Sequence, residues 1–276
     1  MHKLQRHEEI LSHLYSTGFA SVEQLSKLLI SSPATVRRDL IELEHANQLI
    51  RVHGGVKPAD ATTSLTTRLR GSTLSQNLER HTTQKQAIGK AAATLCQDGE
   101  SIIINGGSTT YEMCAHLQQN GMQVLTNSFP IATRLLHQSH HRVYLTGGEI
   151  YREQEIVLSP YSDTTASHFI ASKLFISAQS VTQRGLLETD SRLIRAEQEL
   201  LEQAEMVVLL ADSSKFNSQG NLLLCPLERV GLVVTDSGIQ ASSLAMLKEN
   251  DIETLIVEFD EHLTPAHLSR SSQSQA

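Results

Sequence analysis

The fold of the N-terminal region is decided by the stretch Ser32-Pro33-Ala34-Thr35-Val36-Arg37-Arg38-Asp39-Leu40. Ser32 is a good N-cap and proline suits the first helical position, so a helix is predicted to begin at Pro33. Apolar residues then recur at steps of four and three, which places them on one core-facing stripe. These residues are Val36, Leu40 and Leu43.

The opposite face of this predicted helix is polar and cationic. It carries Thr35, Arg37 and Arg38, whose side chains suit DNA phosphates and guanine edges. Two adjacent arginines on a helix can equally form a solvated face without a ligand. The cap at Ser32, the apolar stripe and the order of the surrounding elements together favour the recognition helix of a helix-turn-helix.

Two further helices and a hairpin are predicted around it. The first helix is expected to end at Gly18 and the second to be capped by Ser21. Residues 49–56 read as a short strand running into a Gly-Gly turn, the pattern of a β-wing, with Arg51 and His53 placed to reach the DNA backbone or minor groove. A winged helix is therefore predicted over 1–57. Its first two helices rest on the apolar positions Leu4, Ile10, Leu11, Leu14, Val22, Leu25, Leu28 and Leu29.

Charge restricts where DNA can bind. Residues 1–57 contain seven Lys and Arg residues against six Asp and Glu residues, whereas the whole chain of 276 residues has a net charge of −7. The remainder is therefore acidic, and the chain is not a general polyanion binder. Any contact with double-stranded DNA is expected from the N-terminal region alone.

The composition also predicts the compartment. Cys96, Cys114 and Cys225 are isolated and odd in number, which favours a reducing cytosol over a disulfide framework. The N-terminus lacks the apolar core of a signal peptide, and the longest apolar run, residues 206–211, is too short to span a membrane. The 13 histidines include His137, His140 and His141 but show no His-Glu-x-x-His-like arrangement, so they are expected to lie at the surface rather than to bind a metal. A cytoplasmic protein without metal, cofactor or membrane contact is predicted.

The rest of the chain predicts a second domain. Residues 58–80 are rich in Thr, Ser and Leu and are predicted to be a linker, and residues 261–276 a disordered tail. Between them, over 81–260, apolar runs alternate with helical stretches, which is typical of an α/β domain with a mainly parallel sheet. The expected strands lie at 102–104, 124–125, 143–145, 174–176, 207–210, 232–234 and 255–257, with helices around 83–96, 109–119, 129–138, 191–204 and 239–249.

The first of these strands runs into Asn105-Gly106-Gly107-Ser108-Thr109-Thr110, and a helix follows. Ligands of such sheets bind outside the carboxyl ends of the strands. Glycines permit close backbone approach, free N–H groups at a helix start attract anions, and Thr109 with Glu112 has the spacing of a capping box. The loop is predicted to bind phosphate; an ordinary strand-to-helix turn is the alternative. Because no Gly-Lys-Ser/Thr or Gly-x-Gly-x-x-Gly pattern is present, a small phosphate ester is favoured over a nucleotide.

Polar residues also follow other predicted strands. Each alone is more often a cap or a turn, but their coincidence predicts a pocket for a polyhydroxylated ligand. Carboxylates and amides would take hydroxyl groups, and a lysine would take negative charge. The candidates are Asn127, Gly147, Gly148, Asp190, Glu197, Asp212 and Lys215.

The chain resembles the DeoR family of bacterial repressors. In the N-terminal region the resemblance rests on Arg6, Ile10 and Leu14 followed, after 17 residues, by Ser32-x-x-Thr-Val-Arg-Arg-Asp-Leu. It implies a winged helix-turn-helix joined to a C-terminal domain that is similar in fold to ribose-5-phosphate isomerase and senses a phosphorylated sugar. In the body it rests on Ile-Asn-Gly-Gly-Ser-Thr, Leu-Thr-Asn-Ser-Phe-Pro, Gly-Gly-Glu-Ile-Tyr, Leu-Ser-Pro and Asp-Ser-Ser-Lys.

The resemblance also implies roles for individual residues. The Gly-Gly-Ser-Thr-Thr loop is similar to the family's phosphate site, and Lys85 lies where the family usually has a lysine before that strand. Asp212 and Lys215 become ligand-contact candidates. Within the family these segments are most similar to the member that controls ascorbate utilisation, which implies L-ascorbate 6-phosphate as the effector. Residues 176–181 depart from the family, because they lack its Gly-rich segment and the acidic residues that the isomerases carry there.

Two functions follow as hypotheses. The first is a repressor of a carbohydrate-utilisation operon, released from double-stranded operator DNA by a phosphorylated sugar. One recognition helix reads one half-site, so a homo-oligomer, a dimer or a tetramer, is expected.

The second hypothesis is a sugar-phosphate isomerase-like enzyme with an accessory DNA-binding head. Its acid–base chemistry could be supplied by Glu188, Asp190, Glu197 and Asp212. The missing acidic segment near 177–181 argues against it. Activator and repressor are not separated by the sequence.

Overall fold

A computed structural model describes residues 3–17, 19–45, 48–52, 54–58, 73–138, 140–159, 165–218 and 220–259. The chain divides into two compact units, residues 1–71 and 72–276. Each unit has its own buried apolar clusters.

The described part of the N-terminal unit is a winged helix, as predicted. Its helices are α1 (Lys3–Thr17), α2 (Val22–Leu28) and α3 (Pro33–His45). Strands β1 (Leu49–Val52) and β2 (Gly55–Pro58) form the antiparallel wing. The predicted turn residue His53 lies outside the described residues, as do Gly18 and the side chain of Leu4.

The predicted caps of this unit are present. Ser21 begins α2 with a reciprocal capping box, in which its hydroxyl accepts from the Gln24 N–H at 3.2 Å. The Ser32 hydroxyl accepts from the Thr35 N–H at 3.2 Å, so α3 starts where the sequence predicts. The stripe of Val36, Leu40 and Leu43 is buried. Leu28 ends α2 and is 47% exposed, whereas the neighbouring Leu29 is buried.

The C-terminal unit contains the remaining strands and helices. The strands are β3 (Ser101–Ile104), β4 (Gln123–Thr126), β5 (Arg142–Leu145), β6 (Glu149–Tyr151), β7 (Ile156–Leu158), β8 (Ala171–Ile176), β9 (Ser180–Thr182), β10 (Gly185–Glu188), β11 (Ala204–Leu210), β12 (Leu222–Cys225), β13 (Leu232–Asp236) and β14 (Glu253–Val257). The helices are α4 (Leu74–Glu79), α5 (Thr82–Ala93), α6 (Ser108–Met113), α7 (Phe129–Gln138), α8 (Ser191–Glu202) and α9 (Ala241–Glu249).

Seven of these strands form one parallel sheet in the order β14-β13-β11-β8-β3-β4-β5. They are the seven predicted apolar runs. Alternate side chains belong to two separate apolar clusters; Ile103 and Leu209 lie in one, Ile104 and Leu210 in the other. Burial on both faces explains why the strands read as continuous apolar runs rather than as alternating ones.

Two small antiparallel sheets were not predicted. One is the hairpin of β6 and β7, and the other has the order β12-β10-β9. Their strands have three or four residues each, too few for a periodicity to be read from the sequence.

The predicted linker is partly helical. Of residues 58–80, Pro58 ends β2 and residues 59–72 lie outside the described residues, as does the predicted tail. Residues 74–79 form α4, which is capped by a Thr73–Gln76 capping box and buries Leu74. The prediction of a linker over this part is wrong, because a helix of six residues is too short to show a helical period.

Gly89 allows α5 to lie against α6. A Cβ at Gly89 would stand 2.6 Å from the Met113 backbone nitrogen. Gly89→Ala should therefore force the two helices apart and lower the free energy of unfolding by about 1–3 kcal/mol, as measured by urea denaturation. Lys90→Ala, at the exposed neighbouring position, is the control and should change stability little. An equally stable Gly89→Ala variant would contradict this packing.

Candidate DNA-binding and effector-binding sites

The outward face of α3 is accessible. Arg37 and Arg38 are exposed and form no salt bridge within the described part of the chain. Ser32 is exposed as well, and its hydroxyl lies 2.9 Å from the Thr35 hydroxyl. Two free cations beside two hydroxyls are suited to phosphate and base-edge contacts.

The wing contributes two described cations, Arg51 and Lys57. Arg51 is exposed on β1, and its guanidinium lies 3.7 Å from a Glu44 carboxyl oxygen. Arg37 and Arg51 line the same groove, which runs between α3, the start of α2 and the wing. The structure thus brings two of the predicted DNA-contact residues together.

A buried ion pair fixes α3 against α1, and the sequence analysis did not identify it. Asp39 is buried and accepts from Arg6 Nε at 2.8 Å and Nη2 at 3.0 Å. His7 Nε2 lies 3.2 Å from the same carboxyl group. Burial alone would raise the pKa of Asp39, but the hydrogen bonds from Arg6 and His7 hold it below its usual value. Because Asp39 follows Arg38 directly, this pair sets the orientation of the arginine face.

Asp39→Asn should lower the stability of the N-terminal unit. The change keeps the side-chain shape but removes the charge, so a bidentate, charge-assisted contact is lost, at a cost of about 2 kcal/mol. Urea denaturation of the full chain measures it. Glu42→Gln on the same helix is the matched control, since Glu42 pairs with Lys3 at the surface and such pairs contribute little. Equal effects of the two substitutions would contradict the role of Asp39.

The predicted phosphate loop lies between β3 and α6. Gly107 is the residue before α6, so Thr109 is already inside the helix and is buried. The predicted Thr109–Glu112 capping box is therefore wrong. Thr110 is buried too, and its hydroxyl donates to the Gly107 carbonyl at 3.0 Å, while Ser108 is half-buried.

Both glycines of this loop are required by packing. A Cβ at Gly106 would stand 2.7 Å from the Ile156 side chain, and a Cβ at Gly107 would collide with the Ser177 hydroxyl. The Gly106 N–H also donates to Asn127 Oδ1 at 2.8 Å. The loop is thus held close to the ends of β4 and β8.

Four buried side-chain atoms near these strand ends lack a hydrogen-bond partner among the described residues. Buried polar groups are normally paired, and an exception calls for an explanation. Asn105 follows β3, Asn127 follows β4, Asp212 follows β11, and Glu197 lies on α8. The atoms are Asn105 Oδ1, Asn127 Nδ2, Glu197 Oε2 and Asp212 Oδ2.

Lys85 is a buried cation next to this cluster. Its ammonium donates to the carbonyl oxygens of Asn77 and Arg80, at the C-terminal end of α4. Burial lowers the pKa of Lys85 to about 8, and Lys215 acts in the same direction, while the negative charge of Asp212 opposes the shift. The structure therefore brings together the three residues that the resemblance had suggested separately.

Asp212 orders the turn that carries Lys215. Its Oδ1 accepts from the Ser214 N–H at 3.1 Å and from the Ser214 hydroxyl, and it caps a short 3-10 helix over Ser213–Asn217. One carboxyl oxygen is thus used inside the turn and the other remains without a described partner.

The buried carboxyl groups of Glu197 and Glu188 are neighbours, and Glu197 is hydrogen-bonded to Asn105. Asn105 Nδ2 donates to Glu197 Oε1 at 3.0 Å, and the Gln179 N–H donates to Glu188 Oε1 at 3.1 Å. Burial raises the pKa of Glu188 to about 7. Burial and the charge of Glu188 raise the pKa of Glu197 well above its usual value. Glu188 was considered only for acid–base chemistry at the sequence level, and its place in this cluster was missed.

Two further candidates, Asp190 and Gly148, have structural contacts, and a third, Gly147, has open space around it. Asp190 caps α8 through the Arg192 N–H at 3.0 Å and pairs with the Arg192 guanidinium at 2.6 Å. Gly147 and Gly148 are exposed after the edge strand β5. Gly148 has φ +144, and a Cβ there would collide with the Leu158 carbonyl, so it serves the turn into β6.

Comparison with known families decides the classification. The DeoR-like helix-turn-helix domain matches residues 6–62, and the DeoR C terminal sensor domain matches residues 80–237. The chain belongs to the DeoR family. It is a DNA-binding transcriptional regulator of that family with a C-terminal sensor domain, rather than an enzyme.

Individual relatives agree. The chain is 32% identical over 257 residues to the HTH-type transcriptional regulator UlaR of Shigella dysenteriae serotype 1 (strain Sd197), covering 93% of this chain and all of the relative. The same figures hold for UlaR of Escherichia coli (strain K12 / DH10B). The whole length of these DeoR-family regulators is therefore represented.

Solved structures give weaker likenesses. Ribose 5-phosphate isomerase A from Methanocaldococcus jannaschii matches with a TM-score of 0.35 and 18% identity over 48% of this chain and 53% of that one. Translation initiation factor eIF-2B from Pyrococcus horikoshii OT3 matches with a TM-score of 0.39 and 16% identity over 78% and 72%. Likenesses at this level do not assign a function.

The described residues contain neither a membrane-spanning helix nor a metal-binding cluster. None of their helices is both long enough and apolar enough to cross a bilayer. No group of three or more His, Cys, Asp or Glu side chains in that part of the chain is arranged to hold a metal ion.

The raised pKa of Glu188 predicts a pH dependence of stability. Between pH 4.5 and 7 the folded chain holds a proton on Glu188 that the unfolded chain has lost, so the free energy of unfolding should fall as the pH rises through this range. Glu188→Gln removes the group and should make the curve flatter than that of the unsubstituted protein. Urea denaturation at pH 5, 6 and 7.5 measures both curves, and identical slopes would contradict the assignment.

Proposed function

We propose that this DeoR-family regulator is a repressor of a carbohydrate-utilisation operon, acting in the cytoplasm and released from its operator by a phosphorylated sugar. L-ascorbate 6-phosphate is the first candidate effector. The similarity of the sensor segments to the ascorbate-utilisation member of the family and the identity to UlaR support this choice.

One observation carries the proposal of a ligand in the sensor unit. Four buried polar atoms have no described partner: three belong to residues that follow β3, β4 and β11, and the fourth belongs to Glu197 on α8. The buried Lys85 is close to one of these residues, Asp212. A ligand with several hydroxyl groups would pair with the amides of Asn105 and Asn127 and with the carboxyl groups of Glu197 and Asp212. Such pairing removes the cost of leaving these atoms unsatisfied.

The charge of the site favours a phosphate on that ligand. Lys85 and Lys215 supply two cations, and the loop supplies the N–H groups at the start of α6 and the Ser108 hydroxyl. A phosphate accepts hydrogen bonds from groups of these kinds, whereas the Gly106 N–H and the Thr110 hydroxyl already donate within the protein. A site that combines carboxyl and amide groups with two lysines is suited to a molecule that carries both hydroxyl groups and an anionic group.

Repression requires more than one copy of the chain. A single α3 can read only one half-site of an operator, so the active form is a homo-oligomer, a dimer or a tetramer. The effector then has to weaken DNA binding by a coupling free energy. A 100-fold release needs about 2.7 kcal/mol, within the usual range for allosteric proteins.

Fluorescence anisotropy on DNA from upstream of the protein's own gene tests the proposal. L-ascorbate 6-phosphate, ribose 5-phosphate, fructose 6-phosphate and glucose 6-phosphate are titrated at one fixed salt concentration, because DNA affinity depends steeply on salt. Release by one phosphorylated sugar is the expected result. Tight DNA binding that none of them changes would contradict the effector half of the proposal.

Arg37→Ala and Arg38→Ala should weaken operator binding by at least tenfold each, since each removes a cation from the DNA-facing side of α3. Calorimetric titration of phosphosugar should give unchanged affinities. Lys27→Ala, an exposed cation in the last turn of α2, is the control for lost positive charge alone. Loss of effector binding in the arginine variants would contradict separate sites.

Asp212→Asn should give a regulator that binds operator but no longer responds to its effector, because it replaces the charged acceptor beside Lys85 with an amide of equal size. The anisotropy assay reads the response. Glu205→Gln, at an exposed position in β11, is the control. A normal response from Asp212→Asn would show that the effector pocket has been misplaced.

A further inference from the structure

Only one carboxyl oxygen of the buried residue Glu197 is used by the described protein. Oε1 accepts from Asn105 Nδ2 at 3.0 Å, whereas Oε2 has no hydrogen-bond partner among the described residues. The side chain is 3% exposed. A buried oxygen that is left unpaired costs free energy, which a ligand can recover by pairing with it.

The neighbours of Glu197 favour a neutral carboxylic acid. Glu188 ends β10 and Cys225 ends β12, and neither supplies a positive charge. Lys215 and the Gln179 N–H act on Glu188, while Asp190 adds further negative charge on that side. Two carboxyl groups so placed cannot both ionise easily, and Glu197, which is buried beside Glu188, keeps its proton.

The position of the proton follows from the hydrogen bond. Asn105 Nδ2 presents a hydrogen to Oε1, so Oε1 has to act as the acceptor. The acidic hydrogen then belongs on Oε2, the oxygen without a described partner. Glu197 is in this way prepared to donate a hydrogen bond, a property that an ionised glutamate does not have.

We propose that Glu197, held by Asn105, determines effector specificity by donating a hydrogen bond from Oε2 to an oxygen on the sugar part of the ligand. This inference rests on the proposed function, because it names the contact by which the same site reads the sugar. Lys85, Lys215 and the loop of residues 106–110 hold the phosphate and supply affinity common to all phosphate esters. Glu197 and Asn105 then distinguish one sugar from another.

Calorimetric titration of the full-length protein tests this division. The ligands are L-ascorbate 6-phosphate, fructose 6-phosphate, glucose 6-phosphate, ribose 5-phosphate and inorganic phosphate. Glu197→Gln keeps an acceptor for Asn105 and a donor at the Oε2 position, so it should bind the preferred phosphosugar within about threefold of the unsubstituted protein. Glu197→Met fills the space without polar atoms and should bind that phosphosugar at least tenfold more weakly, with unchanged binding of inorganic phosphate.

Glu202→Gln is the matched control, because Glu202 is exposed on the same helix. It should leave every affinity unchanged. If Glu197→Met discriminates between phosphosugars as well as the unsubstituted protein does, Glu197 does not read the sugar. If Glu197→Gln is as weak as Glu197→Met, Oε2 is an acceptor and the proposed proton is absent. If the unsubstituted protein binds none of the phosphosugars, the proposed function itself fails and the inference fails with it.

A pH series decides the matter even if Glu197→Met does not fold. Raising the pH removes the donated hydrogen, so phosphosugar affinity should fall in the unsubstituted protein and fall less in Glu197→Gln. The remaining titratable groups are common to both proteins, so their effects on affinity cancel in the ratio. They are Lys85, Lys215, Glu188, Asp190 and Cys225. The series runs from pH 5 to the highest pH at which circular dichroism still shows a folded protein, and a constant ratio over that whole range would overturn the proposal.

Discussion

The structure depends on one constraint, the parallel alignment of β11, β8, β3 and β4 in neighbouring positions of one sheet. Parallel strands end at the same edge, so residues far apart in the sequence meet there. Asn105, Asn127 and Asp212 follow β3, β4 and β11 and so lie at this edge, where Asn105 also donates a hydrogen bond to Glu197 of α8, 92 positions away. The apolar runs bury both faces of the sheet and leave this edge as the place where buried polar atoms accumulate.

The energetics of that edge are unfavourable in isolation. Unpaired amide and carboxyl atoms cost free energy, and Lys85 is a cation whose pKa is lowered because it is buried. The fold offsets part of this cost: Lys85 donates to carbonyl oxygens at the end of α4, where a cation also complements the helix dipole. The glycines at 106 and 107 let Ile156 and Ser177 approach the loop. What remains unpaired is the part that the protein cannot satisfy by itself, which is why we assign it to a ligand.

In the N-terminal unit the two faces of α3 have different roles. Asp39 points to α1 and is neutralised by Arg6, whereas Arg37 and Arg38 remain exposed. The buried ion pair keeps the helix in one orientation, and the exposed cations are then available for phosphates.

Much of this was predictable from the sequence, and the exceptions have physical reasons. All seven strands of the parallel sheet and the start of α3 were predicted, because continuous apolar runs and a Ser-Pro cap are local signals. The helix α4 was missed because six residues show no period, and the Thr109–Glu112 capping box was wrong because the helix begins two residues earlier than that motif needs. The pairs Arg6–Asp39 and Asn105–Glu197 join distant residues, so no local pattern predicts them. Lys85 was identified only through family resemblance, since a single lysine in a helix carries no signal of burial.

The central claim is that a phosphorylated sugar in the sensor unit and operator DNA on α3 oppose each other energetically. Reciprocal titration tests it most directly, with the phosphosugar that releases DNA titrated by calorimetry into free protein and into protein saturated with operator. Linkage requires that DNA weaken phosphosugar binding by the same factor by which the phosphosugar weakens DNA binding. Equal factors would support the account, and a phosphosugar affinity that is identical with and without operator would contradict it.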